Sequence, residues 1–585
     1  GADTVAAGAA DPQAGADPIT AAAAALRAGA IVAVKGLGGY HLACRADDEP
    51  TVARLRARKR REQRPFALMV ASLDEADRLV ALGESERALL SSPQRPIVLA
   101  PRRSGAPIAP SVAPLAPELG VMLPYSPLHH LLLADVGTPL VMTSGNVSDE
   151  PIAFEDGDAM GRLAPIADLI LTHDRPIETR TDDSVLRVVA GRPAFVRRSR
   201  GWVPASLQLP GGVPVGLLAC GAELKSTFCV AKGSRAWVSH HIGDLANYET
   251  LRSFSDGVAH FERLFEVSPL LVAHDLHPDY LSTRYAVARE GVQTIGVQHH
   301  HAHLAACLAE HGERGPAVGA ILDGTGYGTD GTIWGGEILV GDTASFVRAG
   351  MLAPARLPGG ERAIREPWRM ACAWLVACGD SENAAAGPPL PERLRGVVDP
   401  ARWQQVARLA RTGLASPVTT SAGRLLDAVA ALCGIRAAVS YEGQAAIELE
   451  GACDARERGA YELPVRGAGS QAEPLVIDPR QALLAVARDA RSGVPAGAIA
   501  TRFHAGLAAA VVEACAQAAA RHRTDLAVLS GGVFQNRRLL EAVGAGLMAR
   551  GLRVLTPSLL PANDGGISYG QAVVAARRLA IEGRT

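Results

Sequence analysis

The sequence predicts an α/β protein in two parts: an N-terminal α/β domain, then a larger α/β domain of two lobes. Three observations lead there. Short apolar runs rich in Val, Ile and Leu alternate with helical stretches from residue 18 onward. Residues 207–216, "LQLPGGVPVG", break that alternation and read as a linker, giving units at 18–207 and 213–585. Gly-rich turns at 323–328, 530–536 and 563–570 then punctuate the second unit, the pattern of two lobes closing on a phosphate-bearing ligand. A chain of 585 residues exceeds one core. At the usual domain size of roughly 100–200 residues, about three or four units are expected.

Composition narrows the class. An apolar fraction of 48% with 20% charged residues is that of a soluble globular protein. The nine cysteines form no Cys-x-x-Cys pair. Neither a zinc finger nor a disulfide framework is indicated, and a reducing, cytoplasmic compartment is expected. A net charge of −1 points to no nucleic-acid or membrane partner. No uninterrupted apolar run approaches the roughly 20 residues of a membrane span, and no basic-then-apolar signal segment opens the chain. The opening "GADTVAAGAADPQAGADP" has no Met, and residues 1–17 read as an unstructured linker with more sequence expected before it. Four of the 59 basic residues are lysines: Lys35, Lys59, Lys225 and Lys232. Where a compact, deprotonatable ammonium matters, Arg is no substitute.

In order along the chain, "ITAAAAALRAG" predicts a helix closed by Gly29. "AIVAVKGLGGYHLAC" predicts a strand running into a Gly-rich turn, with Lys35 at its end. "EPTVARLRARKRREQRP" predicts a basic helix stopped by Pro65, and "PFALMVAS" the next strand. "PLVMTSGNVSDEP" is a strand followed by a polar turn that presents Ser144 and Asn146. "GLLACGAELKSTFCVAKGSRAWVSHHIG" alternates as a hairpin pair, with Lys225 and Ser226 at its turn. "VQTIGVQ" is a strand, and "HHHAHLAACLAEHG" the helix it opens into.

The histidines of that helix carry the first chemical signal. His299 and His303, four residues apart, share a face and can offer one metal two imidazoles. The Glu of a zincin motif is absent, which argues against a metalloprotease. Alone, such a pair is either a ligand set or a polar patch. Asp323, at the end of the strand in "AVGAILDGTGYG", and Asp564, in the turn "LPANDGG", are candidate further ligands. Each alone is a turn residue or helix cap as readily. Two His and two Asp with open positions suit Fe(II), Zn(II) or Mn(II).

The Gly-rich turns carry the second. Gly324 and Gly326, then Gly531 and Gly532 ahead of a helix, let backbone approach a phosphate. Lys225 could reach a phosphate, and Asn536 a ribose or base edge. The succession hairpin, "DGTGYG", "SGGVFQN", "NDGG" is similar to an actin/hexokinase-type clamp. In the first unit, Lys35 with Lys59, Arg60 and Arg64 would gather near one turn and neutralise a triphosphate. Few aromatics interleave with these charges, unlike a single-stranded nucleic-acid platform.

These motifs, in this order, carry a resemblance. "KGLGGYHLAC…RKRREQRPFALMV…TSGNVSDEPI" resembles the YrdC-like domain of threonylcarbamoyl-adenylate synthases, and "VQHHHAHLAAC…DGTGYG…SGGVFQN…PANDGGISYGQA" resembles a Kae/TsaD-type ASKHA domain. Together, over residues 18–585, they resemble the HypF family of carbamoyltransferases of [NiFe]-hydrogenase maturation. The acylphosphatase domain and zinc-finger-like Cys clusters that the family carries ahead of the YrdC-like part are not found in this sequence. Small-molecule O-carbamoyltransferases use the two domains in reverse order. A fused threonylcarbamoyl-type tRNA-modifying enzyme is the other alternative, disfavoured by the near-zero charge, and a non-enzymatic scaffold for HypE is a third.

The resemblance implies that carbamate from carbamoyl phosphate attacks ATP, with Mg2+, in the YrdC-like domain to give carbamoyl-adenylate. The Kae-like domain then passes the carbamoyl group to the C-terminal cysteine of the partner HypE. It implies Lys59, Arg60, His299 and His303 as catalytic groups, with Lys35, Arg64, Ser144 and Asn146 holding ATP. His299, His303, Asp323 and Asp564 would hold iron or zinc, while Lys225, Gly324, Gly326, Gly531, Gly532 and Asn536 would seat the nucleotide. Orienting a poor nucleophile such as carbamate beside ATP is worth up to about 7–11 kcal/mol.

Overall fold

Alternating apolar residues build three sheets in succession. In a computed structural model of the chain, residues 2–6, 17–147, 150–379, 387–467 and 473–583 are described. The first sheet has ten strands in mixed orientation. At its centre Val32–Lys35, Tyr40–Arg45 and Leu140–Ser144 lie side by side. Val32, Val34 and Ala43 point into one apolar layer and Ala33, Leu42 and Cys44 into the other. This is the period of two expected of a strand buried on both faces. Ala2–Ala6 pairs antiparallel with Leu169–His173 at the edge of this sheet. That corrects the reading of the whole opening as linker, whose remaining residues 7–16 lie outside those described.

The second unit has a four-stranded sheet, in the order Cys229–Val238, Leu207–Ala219, Pro269–Asp275, Gln293–Val297. A nine-stranded sheet follows, with Ala317–Tyr327 between Ile333–Gly341 and Leu526–Ser530. These are the two lobes. The expected linker at 207–216 is part of the strand Leu207–Ala219, which forms the antiparallel pair with Cys229–Val238 that the alternation predicts. Leu207, Leu209 and Val213 are buried in the lobe's core. Gly211 and Gly212, both at positive φ, take up the register shift of a bulge. Burial and pairing override the Pro/Gly punctuation there.

Two further boundaries differ from expectation. The basic helix, capped by Asp48, ends at Lys59 rather than Pro65. The reason is that Arg60 takes the left-handed conformation at its C-cap, with φ 53°, a common way for a helix to stop. Asp323 lies inside the strand Ala317–Tyr327, at a register irregularity, not at its end.

The helix Ala496–His522 is long and apolar enough to cross a membrane by length and composition, but 67% of its apolar window is buried. Phe503, Leu507 and Val511 recur along it in the largest core, which accounts for its composition.

Candidate active sites

The strand Gln293–Val297 delivers the chain to the histidine helix, His299–Glu310, whose N-cap is Gln298, its side chain accepting from the His301 N–H. All four histidines at its start are buried. The ring centroids of His299 and His303 are 5.3 Å apart, one helical turn bringing them to the same face. His303 Nε2 is 2.9 Å from Asp323 Oδ2 and 3.8 Å from Asp564 Oδ1; His299 Nε2 is 3.7 Å from each. One donor atom from each of the four lies within 4.8 Å of every other.

Their scaffolding is backbone. Asp323 Oδ1 accepts from the N–H of Gly324 (2.7 Å) and of Gly532 (3.2 Å), which leaves Oδ2 to the cluster. Asp564 sits in a short turn, Asp564–Gly566, that opens the helix Ile567–Glu582. That helix packs so closely on the histidine helix that a Cβ on Gly570 would run into the Ala302 carbonyl. The expected glycines divide. A Cβ on Gly326 would lie 2.5 Å from His300 Cε1 and 2.8 Å from His299 Cδ2, so its bareness makes room for the rings. Gly531, at φ +98°, sits against the Leu322 carbonyl, and Gly532 against Asp323. Of the four, Gly324 alone faces open space.

The electrostatics favour a cation. Burial works against a charged His299, but the nearby carboxylate of Asp564, the hydrogen bond to Asp275 and the neighbouring carboxylate of Asp323 raise it well above the ordinary histidine range. Burial also opposes ionised Asp323, and His299 and His303 overcome it, holding that carboxyl well below its usual value. His299 Nε2 has no hydrogen-bond partner although it is fully buried. A buried set of two imidazoles and two carboxylates, with one nitrogen left unpartnered, fits a divalent cation.

Beside this cluster Lys225 forms an ion pair with Glu442, joining the loop after the first lobe's strand to the second lobe. Burial opposes both charges; Glu442 and Asp564 hold Lys225 raised, and Lys225 holds Glu442 lowered. Yet 27% and 45% of their side-chain surfaces stay open to solvent. Asn536 is placed differently from expectation. Its Oδ1 caps the helix Arg537–Ala549 through Leu539 N–H and its Nδ2 meets His504 Nε2, which commits both ends of the amide to structure.

The basic cluster of the first domain forms around Lys59. Its Nζ donates to Ser144 O (2.7 Å), Asn146 O (2.6 Å) and Asn146 Oδ1 (2.5 Å), and Ser144 Oγ also donates to Asn146 Oδ1. Burial, reinforced by Arg61, pulls this lysine well below its ordinary range. Arg60 and Arg64 are exposed. Arg56, which sequence reasoning passed over, fixes their loop by donating to the carbonyls of Arg61, Arg64 and Val112 at 3.0 Å each. Lys35 does not join them. Its Nζ donates to Asp156 Oδ2 and the His173 carbonyl, both at 2.9 Å, because a strand-end residue on the Tyr40 face is directed to the helix Asp156–Leu163.

The two clusters lie on contacting parts of the chain. Gln444 Nε2 donates to Gln63 Oε1 (2.5 Å), Arg187 to the Gln535 carbonyl (2.8 Å) and Asn563 Nδ2 to the Val196 carbonyl (3.0 Å). Arg64 and Lys225 both help lower His241, after burial and Arg197. Sequence reasoning also missed Asp275, whose carboxylate holds His299 Nδ1 at 2.8 Å. Its signal was available, a polar residue closing an apolar strand in "LVAHD", the same signature that drew attention to Asp323.

Comparisons with known proteins agree with this architecture. Family models match at residues 24–199 (Sua5/YciO/YrdC, described as telomere recombination), 214–310 (HypF Kae1-like domain) and 319–571 (carbamoyltransferase, Kae1-like domain, second subdomain). The chain is 43% identical over 570 residues to carbamoyltransferase HypF of Rhizobium leguminosarum bv. viciae, covering 95% of this chain and 72% of the relative. It is 44% identical to that of Rhodobacter capsulatus, covering 96% and 74%. A crystal structure of full-length HypF in the phosphate- and nucleotide-bound form superposes with a TM-score of 0.92 at 39% identity, over 99% of this chain and 74% of that one. With family models matching both domains in order and relatives 43% identical or more over at least 95% of the chain, the chain belongs to the HypF carbamoyltransferase family.

Proposed function

We propose that this carbamoyltransferase makes carbamoyl-adenylate at the Lys59 cluster from ATP and carbamate derived from carbamoyl phosphate. It then transfers the carbamoyl group at the histidine cluster to the C-terminal cysteine of HypE, for cyanide-ligand synthesis in hydrogenase maturation. The observation that carries the reading is the pairing, in one chain, of a buried two-His, two-Asp donor set with a lysine-centred basic site across a contacting interface. The nucleotide and phosphate bound by the related HypF support it.

In the first step carbamate oxygen attacks the α-phosphorus and pyrophosphate leaves with its Mg2+. Lys59, held by Ser144 and Asn146, is placed to meet charge at the reacting phosphate, and exposed Arg60 and Arg64 to take the leaving pyrophosphate. In the second, the partner's thiolate sulfur bonds to the carbamoyl carbon and the bond from that carbon to the adenylate oxygen breaks, releasing AMP. His299 Nε2, His303 Nε2, Asp323 Oδ2 and Asp564 Oδ1 would hold iron or zinc, which when bound supplies Lewis-acid stabilisation of the phosphate charge. Gly324 offers bare backbone beside it, and Lys225 a second positive charge. No enzyme cysteine need act. Burial raises the thiols of Cys220, Cys229 and Cys515 to about 12, which leaves the attack to the partner's thiol. Nine free cysteines suit a reducing, cytoplasmic setting.

Paired assays test this. Lys59→Ala is expected to abolish pyrophosphate formation from ATP while metal content stays full. His303→Ala is expected to keep pyrophosphate formation and lose transfer to HypE. Normal carbamoylation of HypE by His303→Ala refutes the assignment of the second site.

A further inference from the structure

Asp275 ends the strand Pro269–Asp275, which runs parallel to Gln293–Val297 with Asp275 opposite Val297. That register sets its carboxylate beside His299, the second residue after Val297. The side chain is fully buried. Oδ1 accepts the His277 N–H at 2.9 Å, and Oδ2 lies 2.8 Å from His299 Nδ1. The Thr283 hydroxyl bonds the Asp275 carbonyl at 3.2 Å and fixes the main chain that presents it. On the far side of the same imidazole, Nε2 has no partner and looks onto Asp323 and Asp564.

We propose that Asp275 is a positioning residue of the transfer site: it keeps one His299 proton on Nδ1, so that Nε2 is the nitrogen that gives up its proton to a cation held with His303, Asp323 and Asp564. An ionised carboxylate only accepts hydrogen bonds, so its partner nitrogen must be the one that carries hydrogen. A ring fixed in this way is a stronger and better-aimed ligand than one free to choose its tautomer. The inference rests on the reading that these four residues take a divalent cation.

Asn at this position separates positioning from plain support of the His277 turn. If the Asn oxygen serves the His277 N–H, its amide N–H faces Nδ1 and enforces the opposite tautomer. Asp275→Ser keeps a hydroxyl acceptor for His277 and removes the bond to His299. In the full chain, Co(II) uptake measured by competition with a chelator is expected to weaken by about 10–100-fold in either variant, with an altered Co(II) absorption spectrum. In a His299→Ala background the same substitutions are expected to cost no further affinity. Pyrophosphate formation by the same preparations reports that the chain is folded. Wild-type affinity and spectrum in either folded variant overturn the role of Asp275, as does an equal loss in the His299→Ala background. A wild-type chain that takes up neither Co(II) nor Zn(II) refutes the cation reading itself, and the inference falls with it.

Discussion

Lys59 shows how a single side chain is chosen. Three oxygens converge on its Nζ within 2.5–2.7 Å, a cradle for a compact point charge that a planar guanidinium does not fit. Lys59→Arg is therefore expected to lose pyrophosphate formation on the order of 100-fold, as when one preorganised donor is removed, and to lower the unfolding midpoint, because the larger group overpacks a buried site at about 1–3 kcal/mol. Glu223 gives a pH test. Burial raises its carboxyl from 4.5 to about 7, while it accepts from the Leu281 N–H. A group raised on folding contributes stability below its unfolded value and loses it as pH rises through the folded one. Glu223→Gln should thus match wild type in urea midpoint near pH 4 and exceed it above pH 7. Residue identity at the histidine cluster was legible because helical spacing alone places His299 over His303. Asp275 was visible as a polar strand end, but its pairing with His299 was not, nor was that of Glu442 with Lys225, since each meets its partner through sheet register or a lobe-to-lobe contact that no local pattern encodes.

At the scale of elements, the histidine helix and the helix Ile567–Glu582 meet at Gly570, where the Ala302 carbonyl occupies the place of a side chain. Gly570→Ala must push the two helices apart, at about 1–3 kcal/mol for overpacking. Because Asp564 opens the second of them, transfer should fall while pyrophosphate formation holds. Unfolding midpoint and the two partial assays check this. Strands and helices with clear period or caps were readable in advance. The basic helix was overextended because Arg and Gln continue good helical propensity to Pro65. Arg56 instead gathers the carbonyls of residues 61 and 64 into a loop. The stretch at 207–216 was misjudged because Pro and Gly speak only for local conformation, and the neighbouring strand supplies the rest.

For the whole molecule, the contacts Gln63–Gln444 and Arg187–Gln535 join the domains on the side where Arg64 and Lys225 both influence His241. The proposed anhydride, formed in one domain, would thereby be kept close to the other. An equimolar mixture of Lys59→Ala and His303→Ala chains, each with one intact site, should restore little of the wild-type carbamoylation rate. Full complementation would mean that the intermediate travels freely through solution. The α/β class and the order of the domains were legible from alternation and Gly turns; their mutual docking was not, because it rests on contacts between residues hundreds of positions apart, polar ones such as Arg187–Gln535 and apolar ones such as those of Phe195 and Phe534 around a shared cavity.

One of those contacts reaches further. Asn563, the residue just before Asp564, accepts the Gly565 N–H on its Oδ1 and donates from its Nδ2 to the Val196 carbonyl of the first domain. The ligand turn is thus guyed from outside its own domain. A C-terminal fragment cut away for separate study would slacken that line, and kinetics measured on severed halves would not sum to those of the intact enzyme.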